Sequence, residues 1–300
     1  MAALCLNHAF SARIHLRMEP NEEAKVDQIA GPSAPVDRDG QSAVAPRGIA
    51  PLWHTVLLIV AILLVSALGV HRRSGANGTV TVNRLLTYGS TAGLELVLIG
   101  WVALGVRLRG IPLRSLFGRV SVSLRSIVLD FGIAILFWIG SMMALGTIAM
   151  MWMSIESLIT HKPIPIQSTK NGQPTLPQDQ ATKAVVQLAP TNGREIACWI
   201  LLCMLVGIAE ELVFRGYLQN QFVAWTRGTI TAGVAFSALM FGAAHGYEGV
   251  RAMVLLSAFG AFFSGLALFR KNLRAGIFAH AWHDAIAGLT VAFLHSHHIL

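Results

Sequence analysis

From residue 51 onward, long apolar blocks alternate with short polar segments. A helix needs about 20 mainly apolar residues to cross a bilayer, and the blocks have about this length. The pattern predicts an all-α fold, a polytopic membrane bundle of about seven transmembrane helices. The predicted spans are about Leu52–Val70, Leu85–Val106, Ile127–Met153, Glu195 to the turn at Arg227, Thr229–His245, Val250–Phe269 and Ala275–Leu294.

The polar segments divide the chain into four parts. Residues 1–50 mix charged residues with Pro, Gly and Ala, which predicts a disordered tail with Met18 as an alternative start. Residues 51–153 hold three transmembrane helices, and residues 154–194 form a polar loop with several prolines. Residues 195–300 form the membrane core that carries the candidate chemistry.

Composition and charge support a membrane protein. Hydrophobic residues make up 54% of the chain, charged residues make up 13%, and the mean hydropathy is +0.59, whereas soluble domains are about 25% charged. The net charge of +8 comes from Lys and Arg between the spans, which favours contact with the lipid bilayer over a nucleic-acid partner. The distribution of these cations predicts a multi-pass protein of the cell membrane with a cytoplasmic N-terminus.

Three charges interrupt the fourth apolar block, at Glu210, Glu211 and Arg215. Buried charges in a bilayer are costly and are kept where they pair, line a wet cavity or have a function. On a helix, Glu211 and Arg215 are four residues apart and face each other, while Glu210 points elsewhere. The spacing therefore predicts one ion pair and one carboxylate left free for chemistry.

A histidine lies at matched depth in the next block. If the fourth and fifth blocks form an antiparallel hairpin around Arg227, then Glu210 and His245 are at nearly the same height on facing helices. A carboxylate and an imidazole that meet in this way form a general-base pair. The last block adds His280 and Asp284, four residues apart on one face, with His283 on another face.

Two further acids lie in the apolar blocks of the first half, Glu95 and Asp130. An ionisable residue inside a span is a candidate for function. The plainer alternative places Asp130 at the membrane interface and has Glu95 bond a neighbouring helix.

Three motifs of the second half resemble the CAAX protease and bacteriocin-processing family, the group of the prenyl endopeptidases. The first is Glu210-Glu211-x-x-x-Arg215, the second is Phe-x-x-x-His ending at His245, and the third is a His followed four residues later by Asn or Asp, at His280 and Asp284. The resemblance covers about Ile196–Leu294.

The resemblance implies a membrane-embedded endopeptidase that hydrolyses a peptide bond of a peptide or membrane-associated protein. Glu210 and His245 would activate a water, His280 and residue 284 would stabilise the oxyanion, and Glu211 and Arg215 would brace the first motif. The family position at 284 is often Asn. Asp284 donates a hydrogen bond only when it is protonated, so it either stays neutral or orients His280. His283 is an alternative donor.

Alternatives stay open at this stage. The scaffold also fits a non-proteolytic membrane interaction or bacteriocin-immunity protein, and Glu210 with His245 fits the proton relay of a transporter. We expect no cofactor, because the sequence has no His-Glu-x-x-His segment and the three cysteines suit small core residues. These cysteines are Cys5, Cys198 and Cys203. Zinc held by ligands from separate helices is the alternative.

Overall fold

The computed structural model describes residues 48–74, 83–161, 169–170, 173–174 and 185–296. The predicted tail, apart from residues 48–50, and most of the loop around residues 162–184 lie outside the described residues. The α-helices are α1 Leu52–Ser74, α2 Arg84–Arg107, α3 Leu124–Thr160, α4 Gly193–Glu210, α5 Gln219–Trp225, α6 Ile230–Ala244, α7 Val250–Arg270 and α8 Arg274–Ser296. Short 3₁₀ helices cover Leu113–Phe117 and Gly246–Glu248, and two-residue antiparallel strands cover Thr169–Lys170 and Gln173–Pro174.

Among the described residues, six helical stretches are long and apolar enough to cross a membrane. They are α1, α2, α3, the continuous stretch Gly193–Trp225, α7 and α8. This finding confirms the predicted polytopic helical bundle. The fifth predicted span differs from the others, because α6 has 15 residues, fewer than a full crossing requires. The third helix is longer than predicted and continues past Met153 to Thr160.

A π-helical segment, Glu211–Leu218, joins α4 to α5, and all eight of its residues are buried. The wider π-helical winding is rare and occurs often at functional sites. Side chains bind two of its carbonyls: Ser237 Oγ donates to the Phe214 carbonyl over 2.7 Å, and Asn220 Nδ2 donates to the Gly216 carbonyl over 2.7 Å. This segment holds the first sequence motif at the centre of the bundle.

Asp130 ties α3 to the turn between α7 and α8. Its carboxylate is fully buried and accepts from Arg270 Nε at 2.8 Å and from Arg274 Nε at 2.6 Å. A buried carboxylate with two guanidinium partners is satisfied by its surroundings. Of the two acids singled out in the first half of the chain, Asp130 therefore has a structural role in helix packing.

Candidate functional site

One cavity of about 770 Å³ lies between helices of both halves of the chain. Four predicted site residues line it: Glu210 at the end of α4, His245 just after α6, and His280 and Asp284 on α8. Most of the other lining residues are apolar side chains from α1, α2, α4 and the α6–α7 region. The fold thus brings the three sequence motifs to the wall of one apolar chamber.

Glu211 and Arg215 form the predicted ion pair, with 3.0 Å between Arg215 Nη1 and Glu211 Oε1 and no exposed side-chain surface on either partner. Arg215 Nη2 also donates to the Gly260 carbonyl at 3.3 Å. Its guanidinium lies 4.5 Å from the ring centroid of Phe241 and 5.0 Å from that of Phe263, within the range of cation–π attraction. The ion pair therefore lies within the buried π-helical segment.

His280 connects the first and third motifs. Its Nδ1 bonds Glu211 Oε1 at 3.1 Å, and its Nε2 lies 3.4 Å from Glu210 Oε2 and 3.8 Å from Asp284 Oδ2. Because an ionised carboxylate only accepts, Nδ1 carries the proton shared with Glu211, and Nε2 carries a second proton only when the ring is the imidazolium ion. In that state the Nε2 proton can point towards Glu210 or Asp284. The short distance to Asp284 agrees with the predicted common face of His280 and Asp284.

Close helix packing explains why His280 reaches the first motif. At Gly207 on α4, a Cβ atom would lie 3.0 Å from the Ala281 backbone nitrogen on α8. At Gly276 on α8, a Cβ atom would lie 2.9 Å from Glu211 Oε2. These two glycines therefore let α8 approach α4 and the π-helical segment closely enough for His280 to contact both glutamates.

No hydrogen bond or ion pair joins His245 to Glu210 among the described residues, and their action as a general-base pair stays a prediction. His245 follows the last residue of α6, and its Nδ1 lies 2.8 Å from the Phe241 carbonyl. A carbonyl only accepts, so Nδ1 carries the proton, and the lone pair of the neutral ring is on Nε2. His280, rather than His245, occupies the position next to Glu210. The glutamate and His245 share the cavity as separate groups.

His283 also lines the cavity, in the opposite hydrogen-bonding state. Its Nδ1 accepts from Trp138 Nε1 at 3.3 Å, since an indole N–H can only donate. The neutral ring therefore carries its proton on Nε2. His245 and His283 thus differ, with an acceptor nitrogen left over on His245 and a donor nitrogen left over on His283.

Glu95 on α2 is the cavity residue that sequence reasoning undervalued. The residue is 6% exposed and lines the cavity, and its buried Oε2 has no hydrogen-bond partner among the described residues. The expected bond to a neighbouring helix is absent at that oxygen. An acid in the middle of an apolar span indicates a candidate for function, and Glu95 meets that description. Nothing in the sequence shows, however, that α2 forms a wall of the site.

In the part of the chain that the structure describes, no group of three or more His, Cys, Asp or Glu side chains is arranged to hold a metal ion.

No curated protein and no solved structure matches the chain significantly. Residues 192–286, which contain all three motifs, match the model of the family described as Type II CAAX prenyl endopeptidase Rce1-like. The match confirms the predicted resemblance and indicates a membrane protease of the CAAX type.

Proposed function

We propose that the protein is a membrane-embedded endopeptidase in which Glu210 and His245 activate a water that attacks the scissile carbonyl. The observation that carries this proposal is the cavity itself, where a carboxylate and an acceptor imidazole nitrogen face one apolar chamber without bonding each other. A water between them would have an acceptor on each side. An apolar surrounding strengthens the electrostatic interactions of these groups.

The hydrolytic step follows from these groups. The water oxygen forms a bond to the carbonyl carbon, and its proton passes to Glu210 or to His245 Nε2. His280, as the imidazolium ion with its Nδ1 proton on Glu211, donates from Nε2 to the oxyanion, and Asp284, 3.8 Å away, orients that ring. The C–N bond then breaks, and the proton held by the base moves to the leaving nitrogen. Removing one such oxyanion donor costs about 10²–10³-fold in kcat in a known protease.

The proposed substrate is a peptide or a membrane-associated protein, because the cavity is lined mainly by apolar side chains. We also propose that the chain lies in the cell membrane with its N-terminus in the cytoplasm. The excess of Lys and Arg in the segments that this orientation leaves inside supports it.

The direct test compares peptide termini in cells that express the wild type or Glu210→Gln at equal levels in the membrane. Termini created by the enzyme should be present with the wild type and lost with Glu210→Gln, because the amide cannot accept the water proton. Glu156→Gln is the matched control, since Glu156 is exposed on α3 and bonds Trp152. Identical termini for wild type and Glu210→Gln would reject the protease and favour a non-proteolytic interaction role.

We further propose that the reaction uses no metal ion, with zinc as the alternative. Dialysis of the purified protein against a strong chelator should leave peptide hydrolysis within about twofold of the untreated sample, because the water is activated by side chains alone. Activity that falls on chelation and returns with added zinc would establish metal-activated water instead.

A further inference from the structure

Glu95 is a cavity-lining residue with a buried, unsatisfied carboxylate oxygen. It lies in α2 and is 6% exposed, and its Oε2 has no hydrogen-bond partner in the described part of the chain. A buried polar atom without a partner costs free energy, and an ionised one costs more. The described residues provide no partner for this oxygen, so a molecule bound in the cavity can supply one.

The described cavity wall is acidic and offers Glu95 no strong cation. Among the described lining residues, the acids are Glu95, Glu210, Glu248 and Asp284, and none is Lys or Arg. The buried guanidinium of Arg215 is paired with Glu211 instead. The ring of His280 is likewise held next to Glu210 and Glu211. Among the described residues no Lys or Arg reaches Glu95, so a cation that enters the cavity can supply a partner for this carboxylate.

The surroundings of Glu95 fit a basic side chain better than a small cation. Thr91, Leu98 and Trp101 of α2 line the same cavity wall as Glu95. Lys and Arg place their methylene stems along apolar surface and their charged heads on polar partners. An aliphatic stem can pack along the Leu98 and Trp101 surface while its charged head binds the carboxylate.

We infer that Glu95 binds the positively charged side chain of a lysine or arginine in the substrate, and so selects peptides with a basic residue near the cleaved bond. This inference rests on the proposed endopeptidase function. Glu95 is then a specificity residue that contacts substrate away from the scissile carbonyl, since the hydrolytic groups lie at the end of α4, just after α6 and on α8.

The test uses the purified full-length protein and pairs of quenched fluorescent peptides. The two peptides of a pair have the same apolar host sequence and differ at one position, which is lysine in one peptide and its uncharged isostere norleucine in the other. Different pairs place this position at different points along the host sequence. Cleavage gives kcat/KM, and quenching of Trp101 and Trp199, which line the cavity, gives binding without any need for turnover.

At one position the wild type should prefer lysine to norleucine by at least about tenfold, as expected for a buried charge-assisted hydrogen bond. Glu95→Gln should reduce this preference to within about threefold, while the norleucine peptide is handled as by the wild type. Glu156→Gln, an exposed carboxylate on α3, should keep the full preference.

Two outcomes would overturn the inference: no lysine preference at any position in either readout, or a preference that survives Glu95→Gln. The outcomes also separate this inference from the proposed function. Cleavage without a Glu95-dependent lysine preference keeps the endopeptidase and removes this role of Glu95. A Glu95-dependent lysine preference in binding, with no cleavage of any peptide, keeps the cation site and removes the endopeptidase.

Discussion

Replacing His245 by asparagine is expected to lower kcat of the purified protein by about 10²–10⁴-fold, the usual contribution of a positioned general base. Asparagine retains a side-chain donor near the position of Nδ1, which bonds the Phe241 carbonyl in the wild type. It removes the Nε2 lone pair that faces the cavity. KM should change little, because the lost interaction is with the attacking water rather than with the peptide.

The measurement is steady-state hydrolysis of a peptide that carries a cleavage site found by the terminal proteomics. His161→Asn is the matched control, because His161 is exposed at the end of α3 and has a φ of 54°, a conformation that asparagine tolerates well. This variant should keep the wild-type kcat. A His245→Asn enzyme with kcat within threefold of the wild type would remove His245 from the water-activating step, whatever happens to KM.

The parts of the fold that the sequence predicts are those set by local pattern. Apolar block length gives the helical bundle, and the spacing of Glu211 and Arg215 gives their ion pair, which is present at 3.0 Å. Side chains four residues apart remain neighbours even though the backbone here is π-helical. A local rule therefore gives the correct pair without giving the correct helix type.

Contacts between distant helices are less accessible to such rules. Matched depth predicts that Glu210 meets His245, but depth along two helices does not determine which way the side chains turn. His245 lies just past the end of α6 and bonds back to Phe241, so its ring is not held against Glu210. The close approach that does occur, between α4 and α8, depends on small residues such as Gly207.

Glu95 illustrates the same limit across the two halves of the chain. Its charge within an apolar span is visible in the sequence, but its role depends on which helix α2 packs against. The structure places α2 on the wall of the cavity built by the second half of the chain. The hydrophobic periodicity within either half does not indicate this contact between the halves. The sequence alone therefore does not decide whether Glu95 has a function or bonds a neighbouring helix.

Replacing Arg215 by methionine is expected to lower the free energy of unfolding by about 3–5 kcal/mol, the usual effect of breaking a buried ion pair from one side. Methionine keeps part of the apolar stem, but it leaves the Glu211 carboxylate buried with His280 Nδ1 as its remaining bonded partner. The bond to the Gly260 carbonyl and the contacts with Phe241 and Phe263 are also lost. Denaturing-detergent titration, followed by circular dichroism, measures the change.

The double variant Glu211→Gln/Arg215→Met separates the buried charge from the lost packing. Glutamine still accepts from His280 but carries no charge, so the double variant should be more stable than Arg215→Met alone. Arg194→Met is the matched control, since Arg194 is exposed in the first turn of α4, and it should cost less than about 1 kcal/mol. If the double variant were as unstable as Arg215→Met, the buried charge of Glu211 would not explain the loss of stability. The guanidinium would then stabilise the π-helical segment mainly through its contacts with Phe241, Phe263 and the Gly260 carbonyl.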